Sequence, residues 1–187
     1  MRIFGIDPGS LRTGYGCVES DGSRHRLIAC GTIAPPRGAS FPDKLLAIHD
    51  GLDALIARHR PDCVAVEDVF HARNVRSALL LGHARGVALL AATRAGVPVV
   101  AYTPAEIKRA VVGYGRAEKG QVQGMVKLLL GLERPPSPHD VADALAVAIC
   151  HLHNRLPAGV PAQARPADRR LRSWRHYRPG GREGLPR

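Results

Sequence analysis

Arg2-Ile-Phe-Gly-Ile-Asp7-Pro-Gly-Ser10 is the stretch from which the rest of the chain is read. Four uncharged residues, Ile3 to Ile6, run into an acid and then into a Pro-Gly turn. A continuous apolar run closed by a turn signal is the pattern of a strand buried on both faces. That strand ends on Asp7, and a charge beside apolar surface is costly unless it is paired or binds a cation. Outward from it, residues 13–18 and 26–33 resume as strands, and three strands joined by turns predict an antiparallel meander. Residues 41–60 carry apolar positions at helical spacing (Leu45, Leu46, Ile48, Leu52, Leu55, Ile56) and stop at Pro61-Asp62. Cys63-Val-Ala-Val-Glu67 repeats the opening pattern, an apolar strand ending on an acid.

Asn74 is placed to cap a helix running to about residue 95, which Gly96 ends. Residues 97–102 form a fifth strand. Thr103 caps a helix over 104–111 with Pro104 at its first position. Residues 113–115 break that helix, 118–132 form another, and Ser137 caps a last one to about residue 153. The order βββ-α-β-α-β-ααα predicts an α/β fold with a five-stranded mixed sheet flanked by helices. One domain over 1–154 is expected. Residues 155–187, rich in Arg, Pro, Gly and Ala without apolar periodicity, are expected to be a disordered basic tail. Trp174 and Tyr177 in it suit base stacking, or equally no function beyond a solubilising tail.

The formal net charge is +11. Residues 1–154 hold 18 Lys and Arg against 14 acids, a net +4, and the tail holds nine Arg against two acids, a net +7. Such a chain is expected to bind nucleic acid or another anionic surface. The four cysteines (Cys17, Cys30, Cys63, Cys150) form no C-x-x-C pair, which argues against zinc and redox motifs, and three sit in apolar runs, which predicts buried free thiols. The most apolar stretch, 86–102, is interrupted by Arg94 and Pro98, so no membrane span is expected. Without a signal-peptide pattern either, the expectation is a soluble cytoplasmic protein.

Against this basic background, four acids stand beside apolar runs: Asp7, Glu67, Asp140 and Asp143. If the first and fourth strands are neighbours, Asp7 and Glu67 project near one sheet edge. Asp140 and Asp143, three apart, share a helix face. The small residues Ala142, Ala144, Ala146 and Ala148 let that helix lie close to the sheet. Converging carboxylates would form a hard, oxygen-rich site suited to Mg²⁺ or Mn²⁺. Asp140 has a second explanation, because Ser137-x-x-Asp140 has the spacing of a capping box. Asp143, one turn further in among Val141, Ala144, Leu145 and Val147, has none as simple. Phe70, Arg73, Asn74 and Arg76 follow Glu67 in a segment suited to phosphate contact and base stacking, although Phe70 also suits core filling. Lys108 and Lys119 flank the 113–115 break, and by spacing alone they read as solvated helix lysines. Ala78, Gly82 and Gly86 make a smooth stripe for close approach of either the sheet or a partner helix.

Together these segments resemble the RuvC-type Holliday-junction resolvases, endonucleases of the ribonuclease H-like fold. The resemblance rests on G-I-D-P-G-S-L-R-T-G-Y-G (5–16), A-V-E-D-V-F (65–70), A-R-N (72–74), S-A-L-L-L-G-H-A-R-G-V-A (77–88), V-V-G-Y-G-R-A-E-K-G-Q-V (111–122) and D-V-A-D-A-L-A-V-A (140–148). It covers roughly residues 1–153. It implies a catalytic tetrad of Asp7, Glu67, Asp140 and Asp143 holding two Mg²⁺ or Mn²⁺ ions. It also implies a base-contacting aromatic at Phe70 and lysines important for cleavage at Lys108 and Lys119. His139 lies one residue from the position where some members carry His in place of Asp140, leaving it a DNA-contacting or supporting role. The family acts as a homodimer on four-way junction DNA, nicks two strands of like polarity, and works with a branch-migration motor complex of the RuvA and RuvB type. The competing readings are another ribonuclease H-like nuclease, acting on RNA–DNA hybrid or branched DNA, and an ATPase of the actin and sugar-kinase type. The latter shares the opening Asp-x-Gly turn but needs a second domain.

Overall fold

The protein is described from a computed structural model, which covers residues 1–68 and 74–154. Phe70, Arg73 and the basic tail therefore lie outside the described residues. All the elements belong to one compact unit. In chain order they are β1 (Arg2–Asp7), β2 (Thr13–Ser20), β3 (His25–Ile33), α1 (Phe41–His59), β4 (Cys63–Glu67), α2 (Val75–Arg94), β5 (Val99–Tyr102), α3 (Pro104–Val112), α4 (Lys119–Leu129) and α5 (His139–Asn154).

The strands form one five-stranded sheet in the order β3-β2-β1-β4-β5. The β1–β2 and β2–β3 pairs are antiparallel, and the β1–β4 and β4–β5 pairs are parallel. Because side chains alternate along a strand, each central strand feeds two cores. Ile3, Val18, Cys63 and Ala65 pack with α3, α4 and α5 on one face. Phe4, Ile6, Cys17, Val64 and Val66 pack with Ile48, Leu52 and Ile56 of α1 and with Ala84, Ala88, Ala91 and Ala92 of α2 on the other. β1 is thus the buried middle strand that its apolar run predicted. The helix starts follow local chemistry. Ser40 accepts from Asp43 N–H at α1, Asn74 from Ser77 N–H at α2, and Thr103 forms a full capping box with Glu106 at α3.

Several expectations need correcting. α5 begins at His139, and the carbonyl of Pro138 accepts from Val141 N–H, so the cap position belongs to Pro138 and not to Ser137. The capping-box explanation of Asp140 falls with it. Cys30 is exposed, while Cys17, Cys63 and Cys150 are buried; all four are free thiols. The stretch most like a membrane span is α2 rather than 86–102, since by length and composition alone α2 is apolar enough to cross a bilayer. Its alanine face nevertheless packs on the sheet, and Arg85 within it makes a 2.9 Å ion pair with Asp68. The small-residue stripe does not face the sheet: Ala78, Gly82 and Gly86 are exposed, and a Cβ added to either glycine would meet nothing within 4 Å.

Candidate active site

The parallel register pairs Ile6 with Val66, so the next residues, Asp7 and Glu67, stand side by side where β1 and β4 end. Carboxyl ends of parallel strands are where α/β sheets open into ligand sites. Alternation also sets the face. Asp7 continues the row of Ile3 and Gly5, and Glu67 that of Cys63 and Ala65, so both carboxylates share the face covered by α5.

α5 reaches them because the sheet is smooth beneath it. A Cβ on Gly5 would overlap the backbone carbonyl of Ala144, and one on Gly14 the carbonyl of Asp140. Glycine at these two places lets helix and sheet meet backbone to backbone. The first turn of α5 is thereby held over the ends of β1 and β2, bringing Asp140 and Asp143 to Asp7 and Glu67. The four acids line one cavity of about 350 Å³ together with Lys108 of α3 and Lys119 of α4. Leu81, Pro104, Ile107 and Val122 supply its apolar wall.

The electrostatics are those of crowded anions. Burial, then the charges of Glu67 and Asp143, push the Asp7 carboxyl up from 3.8 to about 9. Glu67 is raised, first by burial and then by Asp143, against the opposing pull of Lys119 and Lys108. Asp143 is raised by burial, while Lys119 and the charge of His139 oppose the shift. The contact between the two carboxyls raises Asp7 and lowers Glu67. Among the described residues no three acidic, His or Cys side chains already stand in a ligating arrangement. The donor set still fits a hard divalent cation, because four carboxylates in one partly buried cavity carry the repulsion that such an ion relieves.

Two cations flank the acids. Lys119 Nζ lies 3.7 Å from Asp143 Oδ2 and is largely exposed, free to swing toward a bound anion. Arg12 Nη1 lies 3.7 Å from Asp140 Oδ2 on the other side. Sequence reasoning missed Arg12. The signal was its position in the short turn that returns the chain from Asp7 to β2. That turn is tied by buried Thr13, whose hydroxyl donates to Gly9 O at 2.9 Å and accepts from Gly9 N–H at 3.3 Å. His139 is exposed at the first position of α5 and does not line the cavity. Asn74 is engaged as the cap of α2, and Arg76 is exposed in its first turn.

A family model of the crossover junction endodeoxyribonuclease RuvC matches residues 3–151. The chain belongs to the RuvC family. A RuvC from Trichlorobacter lovleyi is 53% identical over 182 residues, spanning 96% of this chain and 100% of the relative. One from Heliobacterium modesticaldum is 54% identical over 154 residues, 82% of this chain and 95% of that one. The Thermus thermophilus RuvC solved in complex with Holliday junction substrate is 39% identical, with a TM-score of 0.77 over 81% of this chain and 92% of that one. The yeast mitochondrial Holliday junction resolvase Ydc2, at 14% identity and a TM-score of 0.59, shares the fold. The sheet and helices here are accordingly those of the ribonuclease H-like fold. RuvC nucleases generally depend on a divalent metal.

Proposed function

We propose that this chain resolves Holliday junctions by metal-dependent nicking, with Asp7, Glu67, Asp140 and Asp143 as metal ligands and Lys119 and Lys108 as charge donors to the scissile phosphate. The observation that carries the reading is that these six residues, drawn from β1, β4, α3, α4 and α5, line one cavity. The four carboxylates would hold two Mg²⁺ or Mn²⁺ ions. Bound there, such ions supply a nucleophile from water and charge for the leaving 3′ oxygen. The chain's own part is positioning and charge. Asp7 and Glu67 are fixed by strand register and screened from bulk water by α5. Lys119, now on Asp143, exchanges that carboxylate for a phosphate oxygen, where a preorganised cation stabilises the transition state. The cut leaves a 5′-phosphate and a 3′-hydroxyl. Arg76, Arg73, Asn74, His139 and Phe70 are assigned to the DNA around this centre, Phe70 by stacking on bases. We assign it to the cytoplasm, working with a branch-migration motor of the RuvA and RuvB type.

A four-way junction has approximate two-fold symmetry, which a C2 dimer with two equal sites matches. The dimer surface we assign is the outward face of α2. There Ala78, Gly82 and Gly86 allow close helix approach, and Leu45, Leu79 and Leu90 border an apolar hollow of about 480 Å³. Leu79 and Leu90 are 59% and 52% exposed, unusual for adjoining leucines without a partner. Gly82→Arg is expected to give a monomer by sedimentation where the wild type is a dimer, and to uncouple the paired cuts. An unchanged dimer would move the interface elsewhere.

The function is tested with labelled four-way junction, linear duplex and RNA–DNA hybrid compared in one Mg²⁺ assay, with cut sites mapped on every strand. Symmetric nicks in two junction strands of like polarity are expected. Preferential cleavage of the hybrid would replace the resolvase reading with a ribonuclease H one. Nucleotide-induced thermal stabilisation without cleavage would point to the ATPase reading, which the comparisons do not favour.

A further inference from the structure

Arg12 belongs to no role assigned above, and it stands between two hollows. One is the acid-lined cavity; the other, of about 440 Å³, is bordered by Ser10, Leu11 and Arg12 of the β1–β2 turn and by Ser77 and Leu80 of α2. Asp140 and Leu81 line both, so the two hollows adjoin across Asp140. We propose that Arg12 binds a backbone phosphate of the DNA strand being cut, on the side of the acids away from Lys119, and that the second hollow receives that strand. The proposal rests on the nuclease reading of the acid cavity.

Three observations carry it. First, Arg12 is held weakly. Among the described residues its one ion pair is the 3.7 Å contact with Asp140, longer than a hydrogen bond, and its side chain is 50% exposed. A guanidinium so placed can exchange a single carboxylate oxygen for a phosphate, whose geometry suits it better. Second, the base of the side chain is fixed although its tip is not. The Thr13–Gly9 hydrogen bonds close the turn, and a Cβ on Gly9 would overlap the Arg12 carbonyl, so the loop is tight and Arg12 projects from a defined place. Third, the hollow matches a sugar-phosphate strand. Leu11, 76% exposed, and Leu80 offer apolar surface to deoxyribose, while Ser10, Ser77 and the guanidinium face the phosphate. The N-terminal turn of α2 adds a favourable field for an anion, although Asn74 already occupies the Ser77 N–H. A strand lying over the acids is thus gripped from both sides, by Lys119 through one hollow and by Arg12 through the other.

Junction binding without divalent metal, across a series of salt concentrations, separates this from other roles. Arg12→Ala is expected to weaken binding about tenfold and to lower the slope of log affinity against log salt by about one, the mark of one lost phosphate contact. Arg12→Lys should restore the slope. Leu11→Glu, which puts a negative charge at the mouth of the hollow, should weaken binding, whereas Leu128→Glu on α4 should do so less. If Arg12→Ala leaves affinity and slope unchanged, the proposal is overturned. It is equally overturned if the variant only alters the metal concentration needed for cleavage, because Arg12 would then merely position Asp140. Thermal melts of each variant exclude loss of folding, which a half-exposed side chain should not cause. Failure of the wild type to cut junctions would instead sink the nuclease reading, so the two failures are distinguishable.

Discussion

Asp7→Asn is expected to lower junction cleavage by about 10³-fold or more while making the metal-free protein more stable. The two effects share a cause. Asp7 carries a carboxyl raised from 3.8 to about 9 by burial and by the acids around it. The folded chain therefore keeps a proton that the unfolded chain gives up above about pH 4. The stability from this group is complete below that pH and is lost as pH rises toward 9. Asn is neutral throughout and suffers no such loss. In chelator, the melting temperature of the wild type should fall between pH 5 and 9 more steeply than that of the variant, and at pH 8 the variant should melt about 5 °C higher. Mg²⁺ should raise the melting temperature of the wild type and do less for the variant, since a ligand stabilises only the state that binds it. A variant that melts lower than wild type at pH 8 would show that Asp7 is no site of stored repulsion.

Lys119→Ala is expected to reduce cleavage about 10²-fold, with junction binding falling no more than the roughly tenfold of one lost phosphate contact. Lys119 holds down the pKa values of both Asp143 and Glu67. Without it these carboxyls protonate at higher pH, so the acidic limb of the rate profile should move upward and part of the loss should return in alkaline buffer. Lys108 acts on Glu67, after Lys119 in size, and Lys108→Ala should shift the profile less. A Lys119→Ala enzyme with wild-type rate and wild-type profile would remove the lysine from the mechanism.

What could be read beforehand was whatever local chemistry dictates. The apolar runs ending on Asp7 and Glu67, the caps at Asn74 and Thr103, and the helical period of α1 each signal through neighbours in sequence, and the structure holds them within a residue or two. The pairing of Asp7 with Glu67 was conditional on β1 and β4 being neighbours, a long-range fact that no local pattern carries. Ser137 misled because its spacing to Asp140 imitates a cap, while Pro138 takes that position. The outward direction of the Gly82 and Gly86 stripe depended on which face of α2 the sheet selects, and it selected Ala84, Ala88, Ala91 and Ala92. Arg12 escaped because its meaning lies in Asp140, far along the chain. The resemblance to RuvC supplied roles for Lys108 and Lys119 that spacing alone did not.

The acids are divided between early and late parts of the chain. Asp7 and Glu67 ride on β1 and β4, while Asp140 and Asp143 arrive on α5, the last element of the unit. During synthesis the sheet strands emerge first and the final helix last. On the proposed assignment, a chain that has made its sheet but not α5 carries two of the four acids and lacks the other two. Because α5 meets the sheet backbone to backbone at Gly5 and Gly14, the acid-lined cavity is completed only when that helix docks. The proposed metal centre is thus complete only once α5 has closed over the strand ends.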